Sequence, residues 1–167
     1  MKFKETQRFN QLWIWIPIIV GGLIPIGIFG IGLYQQVIRK HPFGNHPMSN
    51  NGLIITSILV VVLYLCLLFL FGSLKLSTAI DDTGISYRFF PFHLKYRIIH
   101  WNEIEEFEVV TYKPVVDYGG WGIRYGKKGR AYNVSGDKGL ELILKNGRRL
   151  LIGTQKEQQL KDFLRNH

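Results

Sequence analysis

Two long uncharged apolar runs constrain what this chain can fold into more than any other feature. From Leu12 to Tyr34 it reads LWIWIPIIVGGLIPIGIFGIGLY, and from Leu53 to Leu74 it reads LIITSILVVVLYLCLLFLFGSL. A helix of roughly 20 apolar residues crosses a hydrocarbon layer about 30 Å thick, and it satisfies its backbone amides internally where no water can. The pattern predicts two transmembrane helices, over about residues 12–34 and 53–74. The first run is too long for a secretory signal, and no small-residue cleavage pattern follows Tyr34.

Composition divides at the same place. Between Phe9 and Leu74 the only charged residues are Arg39 and Lys40, whereas the chain from Lys75 to His167 is charge-rich. We therefore expect a membrane anchor over residues 1–75 and a soluble domain over 76–167. The net charge of +9 splits into about +5 and about +4 across that boundary, and neither share demands nucleic acid. The one cysteine, Cys66, lies inside the second run, which excludes an intramolecular disulfide and a cysteine-based metal site.

Two spans put both termini on one side. Lys2, Lys4 and Arg8 precede the first run, and Lys75, Arg88, Lys95 and Arg97 follow the second, against Arg39 and Lys40 between them. The positive-inside bias then places both termini and the domain at the cytoplasmic face of the cell membrane. The first run also carries Gly21, Gly22, Gly27, Gly30 and Gly32 with Pro17 and Pro25, and Gly22 and Gly30 are expected to be helix-packing positions. The runs hold no ionisable residue at mid-depth, which argues against an ion pathway. His41 and His46 between them lack a nearby third ligand, so that segment reads as a turn set by Pro42, Gly44 and Pro47.

From Lys75 onward the pattern changes to short β-branched and aromatic runs separated by turn signals, the mark of antiparallel β structure. Strands are expected over 74–80, 85–90, 95–99, 104–112, 121–125, 130–134, 140–145 and 150–153. Asn146-Gly147 is a two-residue hairpin signal, and Leu140, Leu142 and Leu144 alternate as a buried face. Thr154 and Glu157 have capping-box spacing, and Leu160, Phe163 and Leu164 stripe a short terminal helix.

The strand GISYRFF, the segments WNEIEEFEVV and GWGIRYG, and the run KNGRRLLIGTQKEQQLKDFL together resemble the bacterial pleckstrin-homology-like domains of small membrane proteins. The resemblance spans about residues 74–164. It implies a mainly-β small barrel of seven or eight antiparallel strands capped by a C-terminal helix, and an interaction or scaffold role in place of catalysis. The first hairpin turn here is Asp81-Asp82, where lipid-binding relatives gather basic residues, so phosphoinositide recognition at that turn is not expected.

The most distinctive surface segment is DYGGWGIRYGKKGRAYN, in which Arg124, Lys127, Lys128 and Arg130 alternate with aromatics including Trp121. Such a tip suits anionic headgroups or an acidic partner, each cation near a membrane surface contributing about 1 kcal/mol. As a phosphate loop it fails, because Gly120 and Gly122 lack a third glycine at the required spacing and a strand follows. Single-stranded nucleic acid is a weaker fit given the membrane attachment. Arg148 and Arg149 extend the basic surface; Glu103, Glu105, Glu106 and Glu108 read as a solvated strand edge, and His93 and His100 as ordinary histidines.

The expectation is thus a non-catalytic membrane-anchored module at the cytoplasmic surface, without cofactor or metal. Its partners would be the bilayer, anionic lipid headgroups, a membrane protein or a second copy of itself. An accessory subunit of a transport or export complex is the alternative.

Overall fold

The computed structural model describes residues 2–126 and 128–165, and they fall into two units. One is helical and runs from Asn10 to Gly72; the other combines the N-terminal residues through Phe9 with the chain from Ser73 onward.

In the helical unit, α1 spans Leu12–Leu33 and continues through a π-helical turn, Tyr34–Ile38, while α2 spans Asn50–Ser73. Both are long and apolar enough to cross a membrane. Only 6% and 11% of their most apolar stretches are buried, which separates them from the core helices of a water-soluble protein. The first helix outruns its expected end at Tyr34 because Gln36 organises the connection that follows. Its amide nitrogen donates to the Met48 carbonyl (2.7 Å) and to Asn50 Oδ1 (2.9 Å), and its Oε1 accepts the Phe43 N–H (3.4 Å). The helices meet at Gly22, where a Cβ would land in the ring of Tyr64, whereas nothing lies within 4 Å of one at Gly30.

The sheet unit begins with a strand that the sequence reading did not contain. Strand β1, Phe3–Arg8, turns Phe3, Glu5 and Gln7 inward and Lys4, Thr6 and Arg8 outward. It pairs antiparallel with β2, Lys75–Asp81, in a register that matches Arg8 with Lys75. Thus the chain leaves the sheet at Arg8 and re-enters it at Lys75, and the helical unit is an insertion between two neighbouring strands. Strands β3, Gly84–Phe90, and β4, Arg97–His100, complete an antiparallel sheet of order β1-β2-β3-β4.

The second sheet has the order β5-β8-β9-β7-β6. Its strands are β5 (Ile104–Thr111), β6 (Gly122–Gly126), β7 (Gly129–Asn133), β8 (Lys138–Leu144) and β9 (Arg149–Gly153). All neighbours are antiparallel except β7 and β9, which run parallel. The expected closed barrel is therefore corrected: the described residues form two sheets. The eight expected strands all have counterparts. Leu140, Leu142 and Leu144 are buried as their alternation implied, with Leu76, Ile80, Ile85, Phe89, Leu151 and Ile152.

A short helix, α3 (Pro114–Tyr118), precedes β6, and α4 (Glu157–Arg165) ends the described chain. Leu160 is buried and Phe163 stacks against Phe3, with ring centroids 6.3 Å apart. The expected capping box is not formed. Glu157 pairs with Lys161 at 2.7 Å, and the Thr154 hydroxyl accepts the Lys156 N–H (3.0 Å) and donates to the buried Glu5 carboxylate (2.6 Å).

Candidate functional site

Strands β6 and β7 form a tight hairpin with Gly126 opposite Gly129. Both glycines serve close approach. A Cβ on Gly126 would strike the Asp117 carbonyl, and Gly129, at φ 103°, faces the backbone of Arg149. The glycine-rich stretch therefore brings the hairpin against α3 on one side and β9 on the other.

Register then sorts the charges. Tyr125 pairs with Arg130 and Arg124 with Ala131, so Tyr125 and Arg130 share a face and Arg124 lies on the opposite one. Arg124 donates to the Trp121 carbonyl (2.8 Å), and the Trp121 indole N–H donates to the Gly136 carbonyl (3.0 Å). Arg130 instead lies 4.4 Å from the centroid of the Tyr125 ring and donates to the Tyr132 hydroxyl (3.1 Å). Tyr132 is fully buried, with its ring 4.9 Å from that of Tyr87 and 5.2 Å from that of His93.

On this face a cleft of about 680 Å³ opens, and Arg97, Lys128, Arg130, Arg148 and Arg149 all line it. They come from β4, the β6–β7 turn, β7, the β8–β9 turn and the start of β9. Among the described residues Glu103 is the one carboxylate on the wall, and it is engaged with the His100 N–H at 2.9 Å. Lys128 is partly neutralised by Asp117, 3.4 Å away. The Lys113 N–H, with Lys128 in support, holds that carboxyl below its ordinary range.

The Tyr87 phenol on the wall does not offset these cations near neutral pH. Burial, reinforced by Tyr132, pushes the Tyr87 hydroxyl up to about 12. Burial, with Arg97 and Arg130 facing it, holds the His93 imidazole below its ordinary value. The Arg97 and Arg130 guanidiniums both act on His93 from this face, and Lys128 and Arg148 add to the cationic lining, whereas the pairing of Arg130 with Leu150 turns the Arg149 side chain to the opposite face, where it acts on Tyr118. Guanidinium forks match phosphate and carboxylate geometry, so the cleft is built to take an anion bearing more than one charged oxygen.

The residues singled out from sequence are thus divided. Lys128 and Arg130 line the cleft, Arg124 and Trp121 lie away from it, and Lys127 lies outside the described residues. Arg148, first read only as an extension of the basic surface, belongs to the wall; Arg149 borders the cleft at the start of β9, but its side chain lies on the face opposite to Arg130. Arg97 and Tyr87 were not named as site residues, because only the pairing of β3 with β4 brings them there.

Compared with known proteins, the chain matches no family model and no curated sequence. The site accordingly stands on its own geometry. Asn133, the first residue of a glycosylation sequon, is fully buried; it accepts the Gly122 N–H (2.8 Å) and donates to the Tyr112 hydroxyl (2.9 Å), so the sequon is structural.

Proposed function

We propose that this chain is a two-span membrane protein whose sheet domain is a non-catalytic binding module that captures a phosphate-bearing group at the cytoplasmic membrane surface. The observation that carries the reading is the convergence of Arg97, Lys128, Arg130 and Arg148 on one cleft. A set of cations drawn from four places in the sequence gives a multivalent anion several charge-assisted hydrogen bonds at once, which scattered surface lysines do not.

The pairing of β1 with β2 supports the membrane arrangement independently of charge counting. Because Arg8 and Lys75 are register partners, the two helices start from and return to one sheet edge. An even number of crossings follows, and the cationic flanks at Lys2, Lys4, Arg8, Lys75 and Arg88 favour the cytoplasmic side. Two sheets followed by a C-terminal helix also support the pleckstrin-homology-like reading at the level of element order. The parallel β7–β9 pair is a departure from it.

The test is calorimetric titration of the full chain, held in neutral detergent micelles, with inorganic tripolyphosphate. Binding should weaken as salt rises and fall at least tenfold in the double variant Arg97→Glu, Arg148→Glu, while Arg124→Glu binds as the parent does. Absence of binding, or equal loss in Arg124→Glu, would remove the cleft as the site.

A further inference from the structure

The β3–β4 loop, residues 91–96, combines features that the basic cleft does not account for. Phe92 is 63% exposed and Leu94 77% exposed, and Tyr96 and Ile98 beyond them are also open. Large apolar side chains rarely stand this exposed in a row unless another apolar phase covers them. They are not loosely held. His93, between Phe92 and Leu94, is buried against Tyr87 and Tyr132; its N–H donates to the Phe89 carbonyl (2.8 Å), and its Nδ1 accepts the Phe89 N–H (3.3 Å). The pinned histidine fixes the loop while its two apolar neighbours face solvent.

Register gives this loop an address. Arg8 pairs with Lys75, and Lys75 pairs with Phe90, so these residues form one row across β1, β2 and β3. At that row β1 hands the chain to α1, β2 receives it from α2 with only Leu74 between, and β3 passes into the loop. The cations at this end are Arg8, Lys75, Arg88, Lys95 and Arg97. Lys75 lies over the Phe90 ring (5.4 Å) and Arg88 over the Tyr96 ring (4.6 Å). Apolar tips flanked by aromatics and cations match the chemistry of the headgroup boundary of an anionic bilayer.

We infer that the β3–β4 loop inserts Phe92 and Leu94 into the bilayer interface, giving the sheet domain a membrane contact of its own. The inference rests on the proposed membrane crossing by α1 and α2. The occupant of the exposed patch is lipid, because the row that leads into the loop is also the row that leads into both apolar helices.

The experiment uses the full chain in vesicles of phosphatidylcholine and phosphatidylglycerol, with an environment-sensitive dye at one cysteine at a time and acyl-chain-brominated lipid as quencher. Native Cys66, inside α2, reports whether the helices lie in the bilayer. In a Cys66→Ser background, Leu94→Cys reports the loop, and Asp82→Cys reports the opposite end of the same sheet. The expected result is strong quenching at 66, blue-shifted emission with several-fold more quenching at 94 than at 82, and a drop at 94 when Phe92→Asp is added. Quenching at 66 with equal values at 94 and 82 overturns the loop contact alone. No quenching at 66 overturns the membrane crossing and the loop contact with it.

Discussion

The Glu5 carboxylate accepts the Thr154 hydroxyl at 2.6 Å and the Gln155 N–H at 2.7 Å, joining the first strand of the chain to the start of its last helix. Glu5 is 5% exposed, and beside it Gln7, 1% exposed, donates to the Gly153 carbonyl at 2.7 Å. Residues at the N-terminal end therefore tie the β1 edge of one sheet to the end of β9 in the other. Glu5→Ala should destabilise the folded chain by about 2–3 kcal/mol, because it removes two charge-assisted bonds and leaves buried donors unpaired. Glu5→Gln should retain part of that. Urea unfolding of the full chain in micelles, followed by near-ultraviolet dichroism, checks both.

His93 sets a pH dependence whose sign can be worked out. In the folded state burial and the facing cations Arg97 and Arg130 keep its proton affinity below the ordinary value, and its Nδ1 is occupied by the Phe89 N–H. The unfolded chain takes up that proton below about pH 6.5, so it binds more protons than the folded state there. Stability is complete above that pH and declines as pH falls toward the depressed folded value. The urea midpoint should be lower near pH 5.5 than near pH 7.5, a window set by the histidine's ordinary pKa. His93→Phe should flatten this difference while lowering the midpoint at both values, since the Phe89 N–H loses its acceptor.

The helix pair makes an asymmetric demand on its glycines. Gly22→Leu drives a side chain into the ring of Tyr64 and should cost about 1–3 kcal/mol of helix-pair stability, the usual range for overpacking. Gly30→Leu meets nothing within 4 Å and should leave the pair unchanged. Thermal unfolding in micelles distinguishes the two.

Asn133 uses its carbonyl on Gly122 and its amide on Tyr112, across the base of the β6–β7 hairpin. Asn133→Ala should cost about 1–3 kcal/mol, the penalty for orphaning buried polar groups, and should loosen the hairpin that carries Lys128 and Arg130. Amide exchange across residues 122–126 should accelerate in the variant.

The sequence exposed some of this and hid the rest for identifiable reasons. The apolar runs and the Leu140-Leu142-Leu144 alternation were legible because one side-chain property repeats at the period of its element. Strand β1 was not, because its inward positions between Phe3 and Phe9 are Glu5 and Gln7, so the buried face looks like a polar flank of the first apolar run. The cleft was half legible. Adjacent residues on a strand face opposite ways, which separates Arg124 from Tyr125, but which of them joins Arg130 is fixed only by the Gly126–Gly129 pairing. Arg97 reaches the site through the β3–β4 pair, and the parallel β7–β9 pair turns Arg149 away from it; both are long-range contacts that leave no local pattern.

The central claim is that a membrane hairpin is inserted between two adjacent strands of one sheet domain, and a fusion that removes the hairpin tests it most directly. Phe9 is joined to Leu74 by a short glycine-containing β-turn, which the Arg8–Lys75 register permits, and its thermal melt is compared with that of the fragment starting at Leu74. The account expects a soluble fusion with one cooperative transition and a fragment that lacks it, since the fragment loses Phe3, Glu5, Gln7 and Phe9 from the buried interior. A fragment that melts as cooperatively as the fusion, at the same temperature, would contradict it.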